Sequence, residues 1–303
     1  MLGQARARYA PTVFGSERSL VLLTLFAVYV VWGSTYLAMR VALQGFPPFI
    51  MAGLRFVVAG GALFLYLRAH GAALPGLRRS AAAVLVGALL LVGGNGGVAL
   101  AEQRVSSGLA ALGVATVPLW AVLFGGLWRR WPGRLEWAGL ALGFAGIILL
   151  NVQGDLRANP IGALTLLVAA ASWALGSVWS GHLTLPEGMM GTAVEMLGAG
   201  VLLLLCGAAF GERIYGVPSL WSVSALLYLT VFGSLIAFSS YTYLLRHVPP
   251  ALATSYAYVN PLVAVGLGAA LAGERVTPVE LLAMPVILTG VVLVVLGRDK
   301  GKA

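Results

Sequence analysis

The chain is a succession of long apolar runs without Asp, Glu, Lys or Arg, each close to the length needed to cross a bilayer. These runs cover residues 19–39, 80–101, 105–128, 137–154, 158–186, 214–245, 248–273 and 281–297. A transmembrane helix needs about 20 consecutive apolar residues. Because hydrocarbon offers the backbone no hydrogen-bond partners, such runs become helices. The sequence therefore predicts an all-α polytopic membrane protein.

The composition agrees with this class. Of the 303 residues, 60% are hydrophobic and 10% are charged, whereas soluble domains carry about 25% charged residues. The first apolar run is too long for the hydrophobic region of a signal peptide, so we expect it to be retained as a helix. The single cysteine, Cys206, excludes a disulfide framework within one chain.

Ten transmembrane helices fit the pattern, within a single transmembrane domain over residues 1–303. Joints that contain Pro or Gly separate them. The predicted helices cover residues 19–39, 48–68, 80–101, 108–128, 135–151, 160–181, 189–210, 222–245, 251–272 and 279–297.

The net charge of +9 is better explained by membrane topology than by nucleic-acid binding. The Lys and Arg residues stand at the ends of apolar runs and form no basic stripe interleaved with aromatics. With the N-terminus in the cytoplasm, thirteen of them lie on that side and five on the other, and Arg55 lies inside a helix. Because basic residues favour cytoplasmic loops, both termini are expected in the cytoplasm.

The two halves of the chain match weakly at a nearly constant offset of 140 to 144 residues. The matched pairs are Trp32 and Trp173, Arg55 and Glu195, Pro118 and Pro261, and Gly146 and Gly290. Because five is an odd number of crossings, a second copy of a five-helix unit must enter the membrane from the opposite face. The offset predicts two inverted five-helix repeats, 19–151 and 160–297, as in many secondary transporters. Coincident helix lengths are the alternative.

Arg55 and Glu195 are the clearest charges inside apolar runs, where ionisable side chains are costly and mark functional sites. Each stands about eight residues into its helix, from opposite faces of a slab about 30 Å thick. Their depths then differ by only about 6 Å, so an ion pair, direct or through water, is one interpretation. In the other, each side chain snorkels or pairs separately with helix ends.

Aromatic and polar side chains within the runs suit a cavity for a small amphipathic solute. The candidate cavity residues are Trp32, Ser34, Thr35, Tyr36, Arg55, Asn95, Trp120, Trp173, Ser177, Glu195, Ser240, Tyr241, Tyr256 and Asn260. For any single aromatic or amide among them, helix packing is the alternative. Pro118 and Pro261 are candidate hinges for alternating access, or fixed kinks that shape the cavity.

Small residues also line one face of the fifth predicted helix, at Gly139, Gly143 and Gly146. Such a face lets two helices approach closely. It predicts either a packing seam within the monomer or a contact between two copies of the chain, and the sequence leaves both open.

Short signatures, taken in order along residues 19–297, resemble the drug/metabolite transporter superfamily of the EamA type. They include Val31-Trp32-Gly33-Ser34-Thr35-Tyr36, Pro47-Pro48, Arg55-Phe56, Ser106-Ser107-Gly108, Asn260-Pro261-Leu262 and Gly273-Glu274-Arg275. No single motif is specific, and the ordered set carries the resemblance. The family usually has a Gly-Glu pair after helices four and nine. Here the first pair is replaced by Trp128-Arg129-Arg130-Trp131.

The resemblance implies a secondary transporter of the bacterial inner membrane that exports small metabolites by alternating access. Amino acids, aromatic ones included, and related amphipathic compounds are the substrates it implies. The expected partners are this solute and the lipid bilayer, without nucleic acid, for a monomer or homodimer. Proton coupling through Glu195 or Glu102 stays open beside facilitated diffusion, which needs neither residue.

No cofactor, metal or enzymatic activity is predicted. The three histidines are not spaced with acids as a metal site or a catalytic triad, and no phosphate-binding loop ends in Lys-Ser or Lys-Thr. The alternatives are a carrier of phosphorylated or nucleotide sugars, a membrane enzyme acting on lipids, and a passive channel or scaffold. Dianionic sugars need several buried basic groups, and only Arg55 is well placed.

Overall fold

The computed structural model describes residues 15–128, 131–153, 159–248 and 256–300, and within these ranges the chain forms helices and no strand. Each helix named below consists of α, π or 3-10 pieces that follow one another directly or, in α4, after a two-residue break. The helices are α1 (Gly15–Phe26, Ala27–Val31 and Trp32–Ala42), α2 (Pro48–Ala69), α3 (Leu77–Gly87, Ala88–Gly96 and Gly97–Ala101), α4 (Ser107–Val114, Val117–Gly125 and Gly126–Trp128), α5 (Arg134–Gln153), α6 (Pro160–Ser180), α7 (Gly188–Ala209), α8 (Leu220–Tyr228, Leu229–Phe238 and Ser239–His247), α9 (Tyr256–Ala272) and α10 (Pro278–Lys300).

Seven of the described helices, α1 to α4 and α6 to α8, are long and apolar enough to cross a membrane. The apolar stretches of α9 and α10 are shorter, at Val259–Ala272 and Pro278–Gly290. The prediction of an all-α membrane protein is thereby confirmed, whereas ten crossings and an inverted repeat stay predictions. Residues 251–255, the start of the ninth predicted helix, lie outside the described residues.

Polar side chains accept hydrogen bonds from the backbone N–H groups in the first turns of two helices. Ser106 accepts a hydrogen bond from the Leu109 N–H at 3.3 Å, at the start of α4. The Glu212 carboxylate reaches from beyond α7 to the start of α2 and accepts from the N–H groups of Phe49 and Ile50, at 3.1 and 2.8 Å. The two side chains, Ser106 and Glu212, thus supply hydrogen-bond acceptors that the first turn of a helix lacks.

Three helices contain π-helical segments: Ala27–Val31 in α1, Ala88–Gly96 in α3 and Leu229–Phe238 in α8. Segments of this kind are often found at functional sites. Within hydrocarbon, a carbonyl released from the helical ladder needs another donor, and neighbouring helices provide donors here. Ser172 on α6, for example, donates to the Leu89 carbonyl of α3 at 2.8 Å.

Close glycine contacts join α2 to α7 and α5 to α10. A methyl group added at Gly200 of α7 would lie 2.5 Å from the backbone nitrogen of Val57 on α2. One added at Gly290 of α10 would lie 2.5 Å from the backbone nitrogen of Gly143 and 2.8 Å from the Gly139 carbonyl oxygen. The small-residue face predicted on α5 is therefore a packing seam within one chain.

The two candidate hinge prolines occupy different local structures. Pro118 lies in the first turn of the second piece of α4, after a two-residue break at Ala115 and Thr116. Its missing N–H is no loss there, because a first turn has no intrahelical acceptor for it. Pro261 instead lies inside α9. The break in α4 is thus part of the fold, and hinge motion at either proline stays a prediction.

Large apolar side chains cover the outward faces of the helices, as expected of contact with lipid. Leu65, Val168, Leu205 and Leu282 are all exposed. The small residues instead lie where helices meet, as in other membrane helix bundles. Some polar side chains are buried as well, among them Thr35, Arg55, Glu195 and Asn260. Three of these four, Thr35, Arg55 and Asn260, line one cavity.

Candidate substrate cavity

One cavity lies among α1, α2, α3, α4, α6 and α9, with an empty volume of about 500 Å³ that includes its part open to solvent. Eight of the fourteen predicted cavity residues line it: Trp32, Thr35, Tyr36, Arg55, Asn95, Trp173, Tyr256 and Asn260. The rest of the wall is apolar or glycine: Met39, Gly94, Val98, Val114, Val117, Ala169 and Ala170. A largely apolar wall with a few fixed polar groups is typical of a small-molecule site.

Four aromatic rings form one cluster at this cavity. Trp32 of α1 meets Trp173 of α6 and Tyr256 of α9 edge to face, with centroid distances of 5.5 and 5.2 Å. Tyr241 of α8 packs behind them, 5.1 Å from Trp32 and 5.6 Å from Tyr256. Edge-to-face contacts at these distances stabilise a fixed arrangement by about 0.5–1.5 kcal/mol for each pair. The cluster offers an apolar solute a rigid aromatic surface.

The two cavity tryptophans differ in how their indole N–H groups are bonded. Trp32 Nε1 donates to the carbonyl oxygen of Gly233, in the π segment of α8, at 3.1 Å. Trp173 Nε1 is covered by protein atoms and has no well-aligned hydrogen bond within the described part of the chain. Its polar neighbours are the hydroxyls of Tyr241 and Tyr256, with which it interacts. The Trp173 ring, rather than its N–H, therefore forms part of the cavity wall.

Arg55 brings a buried positive charge to the cavity wall, with only 2% of its surface exposed. Its Nε donates to Ser234 Oγ at 2.6 Å and its Nη1 to Asn95 Oδ1 at 3.3 Å. Its Cζ lies 4.8 Å from the centroid of the Phe56 ring. These contacts fix the guanidinium plane and leave some of its five N–H groups for another acceptor.

The ion pair considered for Arg55 and Glu195 is not formed in this structure. The Arg55 guanidinium bonds to a hydroxyl and an amide instead, and among the described residues no carboxylate lies within 4 Å of it. Glu195 is buried on α7 and does not line the cavity. The charge on Arg55 is therefore balanced by no neighbouring acid in the described part of the chain.

The two predicted amides have different contacts. Asn95, in the π segment of α3, accepts a hydrogen bond from Arg55 and holds the guanidinium in place. In Asn260 of α9, the amide orientation that suits its neighbours places the nitrogen 3.2 and 3.0 Å from the carbonyl oxygens of Val28 and Tyr29, to which it donates. These carbonyls belong to the π segment of α1. Asn260 thus joins two helices at the cavity wall.

The other six predicted site residues lie outside the cavity wall: Ser34, Trp120, Ser177, Glu195, Ser240 and Tyr241. Ser34 bonds to the Tyr228 hydroxyl at 2.6 Å. Trp120 packs edge to face on Phe144 at 5.5 Å, and Ser177 donates to the Trp173 carbonyl at 2.8 Å. Tyr241 supports the aromatic cluster from behind, and Ser240 is buried beside it on α8.

Two neighbouring residues of α8, Gly233 and Ser234, position the site but were not among the predicted residues. Gly233 accepts the Trp32 indole hydrogen and Ser234 accepts from Arg55. A methyl group at Gly233 would also lie 2.8 Å from Arg55 Nη2. A mid-helix serine near a glycine is a common membrane pattern, so the sequence holds no strong signal for them.

No metal site is found in the part of the chain that the structure describes. Among these residues, no three His, Cys, Asp or Glu side chains come together as metal ligands. The cavity is therefore lined by one guanidinium, aromatic rings and a few side chains that carry hydroxyls or amides. This set can bind and orient a small anion-bearing aromatic or aliphatic solute.

Comparison with known proteins gives consistent results over most of the chain. The EamA-like transporter family matches twice, over residues 19–152 and 160–296. The chain is 51% identical over 275 residues to the uncharacterized inner membrane transporter YedA of Escherichia coli, and the match covers 90% of each protein. It is 28% identical to a probable amino-acid metabolite efflux pump of the same species, over 91% of this chain and 95% of that protein.

A known crystal structure shares the fold. It superposes with a TM-score of 0.67 at 22% sequence identity, and the match covers 92% of this chain and 99% of that one. At this level of identity the similarity concerns the fold alone.

Proposed function

Because the chain belongs to the EamA-like transporter family, we propose that it is a secondary transporter of the bacterial inner membrane that exports amino acids and related amphipathic metabolites. Aromatic amino acids are included. The solute binds in the cavity between α1, α2, α3, α4, α6 and α9, and the two halves of the chain rock to expose it to one side and then the other. Both termini lie in the cytoplasm.

One observation carries the substrate class: a buried guanidinium without a neighbouring carboxylate faces the same cavity as an aromatic cluster. Arg55 forms hydrogen bonds to Ser234 and Asn95 only through Nε and Nη1. A substrate carboxylate can accept from its remaining N–H groups in a charge-assisted bond, which is about twice as strong as a neutral one. The cluster of Trp32, Trp173 and Tyr256 then takes the apolar side chain.

The same cavity suits the ammonium group of an amino acid. Aromatic faces attract cations by about 0.5–2 kcal/mol, and more as water is excluded. The hydroxyls of Thr35, Tyr36 and Tyr256 also line the wall. A zwitterion thus finds one strong positive partner and several weaker acceptors, which favours binding with release after a conformational change.

The predicted alternating access is supported by the helix pairs that join the two five-helix halves of the chain. α2 packs along α7 and α5 along α10, and each of these pairs joins helices that would be equivalent in a five-helix repeat. The π segments of α3 and α8, also equivalent, begin 141 residues apart. A site placed between two related halves, at broken or π-helical segments, is typical of secondary transporters.

A carrier of phosphorylated or nucleotide sugars is the second candidate, and the cavity charge disfavours it. A dianionic phosphate needs several basic partners, and Arg55 is the one basic residue in the wall of this cavity. An aromatic cluster beside a single cation fits a monocarboxylate better.

The test is substrate-saturable counterflow in liposomes that contain the purified protein. Radiolabelled L-phenylalanine, L-leucine and glucose 6-phosphate are each offered to vesicles preloaded with the unlabelled compound. The proposal predicts saturable counterflow of at least one amino acid and none of the sugar phosphate. Phenethylamine, which lacks the carboxylate, should not compete. Saturable counterflow of the sugar phosphate alone would overturn the substrate class, and non-saturable flux of every compound would indicate a channel.

A further inference from the structure

Glu102 is a buried carboxyl group that the proposed substrate site does not use. It follows the last residue of α3 and is only 4% exposed. Neither of its carboxylate oxygens makes a hydrogen bond within the described residues. An ionised carboxylate without hydrogen bonds in such a place costs several kcal/mol, and a buried acid avoids this penalty by holding a proton.

Arg40, the cation that acts on Glu102, is already engaged. Arg40, in the last turn of α1, pairs with Glu274 between α9 and α10, with Nε 3.2 Å from Oε1. Glu274 also accepts from the Ser107 backbone N–H at 3.1 Å and its hydroxyl at 2.8 Å, at the start of α4. Glu274 is therefore fully satisfied as an anion, and two carboxyl groups share one arginine.

These charges act on Glu102 in opposite directions. Burial raises the pKa of the Glu102 carboxyl well above its usual range, the negative charge of Glu274 raises it further, and Arg40 lowers it. The other titratable groups around Glu102 are Tyr36 on α1 and, in the same vestibule, Arg104 and Arg275. Burial and the nearby acid outweigh the shared arginine, because Arg40 is 41% exposed and bound to Glu274.

Glu102 stands between an open vestibule and the substrate cavity. The vestibule has an empty volume of about 1060 Å³, which includes its open part, and is lined by Arg40, Glu102, Arg104 and Glu274 among others. On the other side, Tyr36 interacts electrostatically with Glu102 and lines the cavity. Glu102 thus lines the vestibule with its carboxylate oxygens covered, and its charge acts on Tyr36 at the cavity wall.

We infer that Glu102 is a proton-binding site that couples proton movement to transport, an inference that rests on the proposed function. The carboxylate takes a proton from a hydronium ion in the vestibule, forming one O–H bond and leaving water, and after the conformational change it releases the proton to water on the other side of the membrane. Movement of α1 in the transport cycle changes the distance from Arg40 to Glu274 and to Glu102. When Arg40 turns to Glu102, the proton leaves.

The proton site itself is tested without any substrate. Infrared difference spectra of the purified protein are recorded during a pH titration, for wild type, Glu102→Gln and Glu187→Gln. The expected result is a protonated-carboxyl band that persists to a higher pH than that of an ordinary glutamate and is lost only in Glu102→Gln. Glu187 is the control because its side chain is 92% exposed. A wild-type spectrum without this band would overturn the inference.

A second variant covers the case in which Glu102→Gln fails to insert. Arg40→Gln removes the one cation that lowers the proton affinity of Glu102 and keeps the carboxyl itself. We expect its protonated-carboxyl band to persist to still higher pH than in wild type. An unchanged or lowered titration midpoint would overturn the arrangement of charges described above.

Coupling is tested in liposomes with an imposed pH gradient and labelled L-phenylalanine. Wild type should accumulate the label in response to the gradient. Glu102→Gln should keep counterflow within about twofold of wild type and lose the gradient-driven accumulation. If the gradient drives both proteins equally, coupling through Glu102 is excluded. If wild type transports no amino acid at all, the proposed function and the coupling both fail, while the infrared titration still decides the proton site.

Discussion

Trp32 of α1 and Trp173 of α6 meet edge to face with their ring centroids 5.5 Å apart, and their indole N–H groups have different neighbours. Trp32 donates to the Gly233 carbonyl, which fixes its ring. Trp173 Nε1 has no well-aligned acceptor among the described residues and interacts with the hydroxyls of Tyr241 and Tyr256.

This difference predicts distinct effects of conservative substitutions. Trp173→Phe should raise the half-saturation concentration for L-phenylalanine by about tenfold or less, since it keeps an aromatic ring and removes only the interaction of the indole N–H with the Tyr241 and Tyr256 hydroxyls, and a hydrogen bond is worth about 0.5–1.5 kcal/mol. Trp173→Ala should raise it more, because the aromatic contact is lost as well. Trp137→Ala on α5, where the side chain is 51% exposed, is the control. Equal half-saturation constants in all three variants would place Trp173 among the packing residues.

Gly94 of α3 allows Trp173 to lie against the helix backbone. A methyl group at Gly94 would lie 2.8 Å from Trp173 Cε3 and 3.3 Å from its Cβ, so Gly94→Ala should displace the indole ring. We expect weaker substrate affinity with normal membrane insertion. Gly61→Ala on α2 is the matched control, because the nearest atom there is 4.0 Å away. Equal affinity in both variants would show that the ring position is unimportant.

Glu274 joins three parts of the structure, and its removal should lower thermal stability. Glu274→Ala deletes acceptors of the first turn of α4 and the partner of Arg40. Loss of such a cap costs about 0.5–2 kcal/mol, and the half-exposed ion pair adds little. Glu187→Ala removes only an exposed pair with Arg79. Melting curves in detergent should show a lower midpoint for Glu274→Ala alone; similar midpoints would contradict the capping role.

The protonated state of Glu102 gives stability a defined pH dependence. Because the folded pKa of Glu102 is raised, its contribution is fully present at acidic pH and is lost as the pH rises towards the folded pKa. The slope is at most about 1.4 kcal/mol for each pH unit. Glu102→Gln, which stays neutral, should melt at a higher temperature than wild type at alkaline pH, with the gap closing on acidification. A gap that is independent of pH would contradict a protonated Glu102.

Polar residues whose burial is costly are the part of the cavity that the sequence predicts. Arg55, Asn95 and Asn260 are polar side chains within apolar runs, and all three line the cavity. The pattern of apolar runs predicts how deep a residue lies along a helix but not its rotation about the helix axis, so it puts Arg55 and Glu195 at similar depths without indicating where their side chains point. The structure turns Arg55 towards Ser234 and Asn95 instead.

Features that depend on a neighbouring helix or on the local type of helix could not be predicted from the sequence. From the sequence alone, the glycine face of α5 fits a second chain as well as a neighbouring helix, and the contact between Gly290 of α10 and Gly143 decides for the helix. The acceptor role of the Gly233 carbonyl follows from the π segment of α8, and no residue pattern in that segment distinguishes it from an α-helix. Only the fold brings these groups together.

Transport as proposed depends on Arg55, which binds the carboxylate of a solute carried through the cavity. Counterflow of L-phenylalanine is measured in liposomes that contain equal amounts of inserted wild type, Arg55→Lys or Arg55→Ala. A hydrogen bond to a charged group is worth about 1.5–3 kcal/mol, so Arg55→Ala should lose at least about tenfold in transport efficiency, with Arg55→Lys in between. An Arg55→Ala protein that carries L-phenylalanine with the rate and half-saturation of wild type would contradict the account.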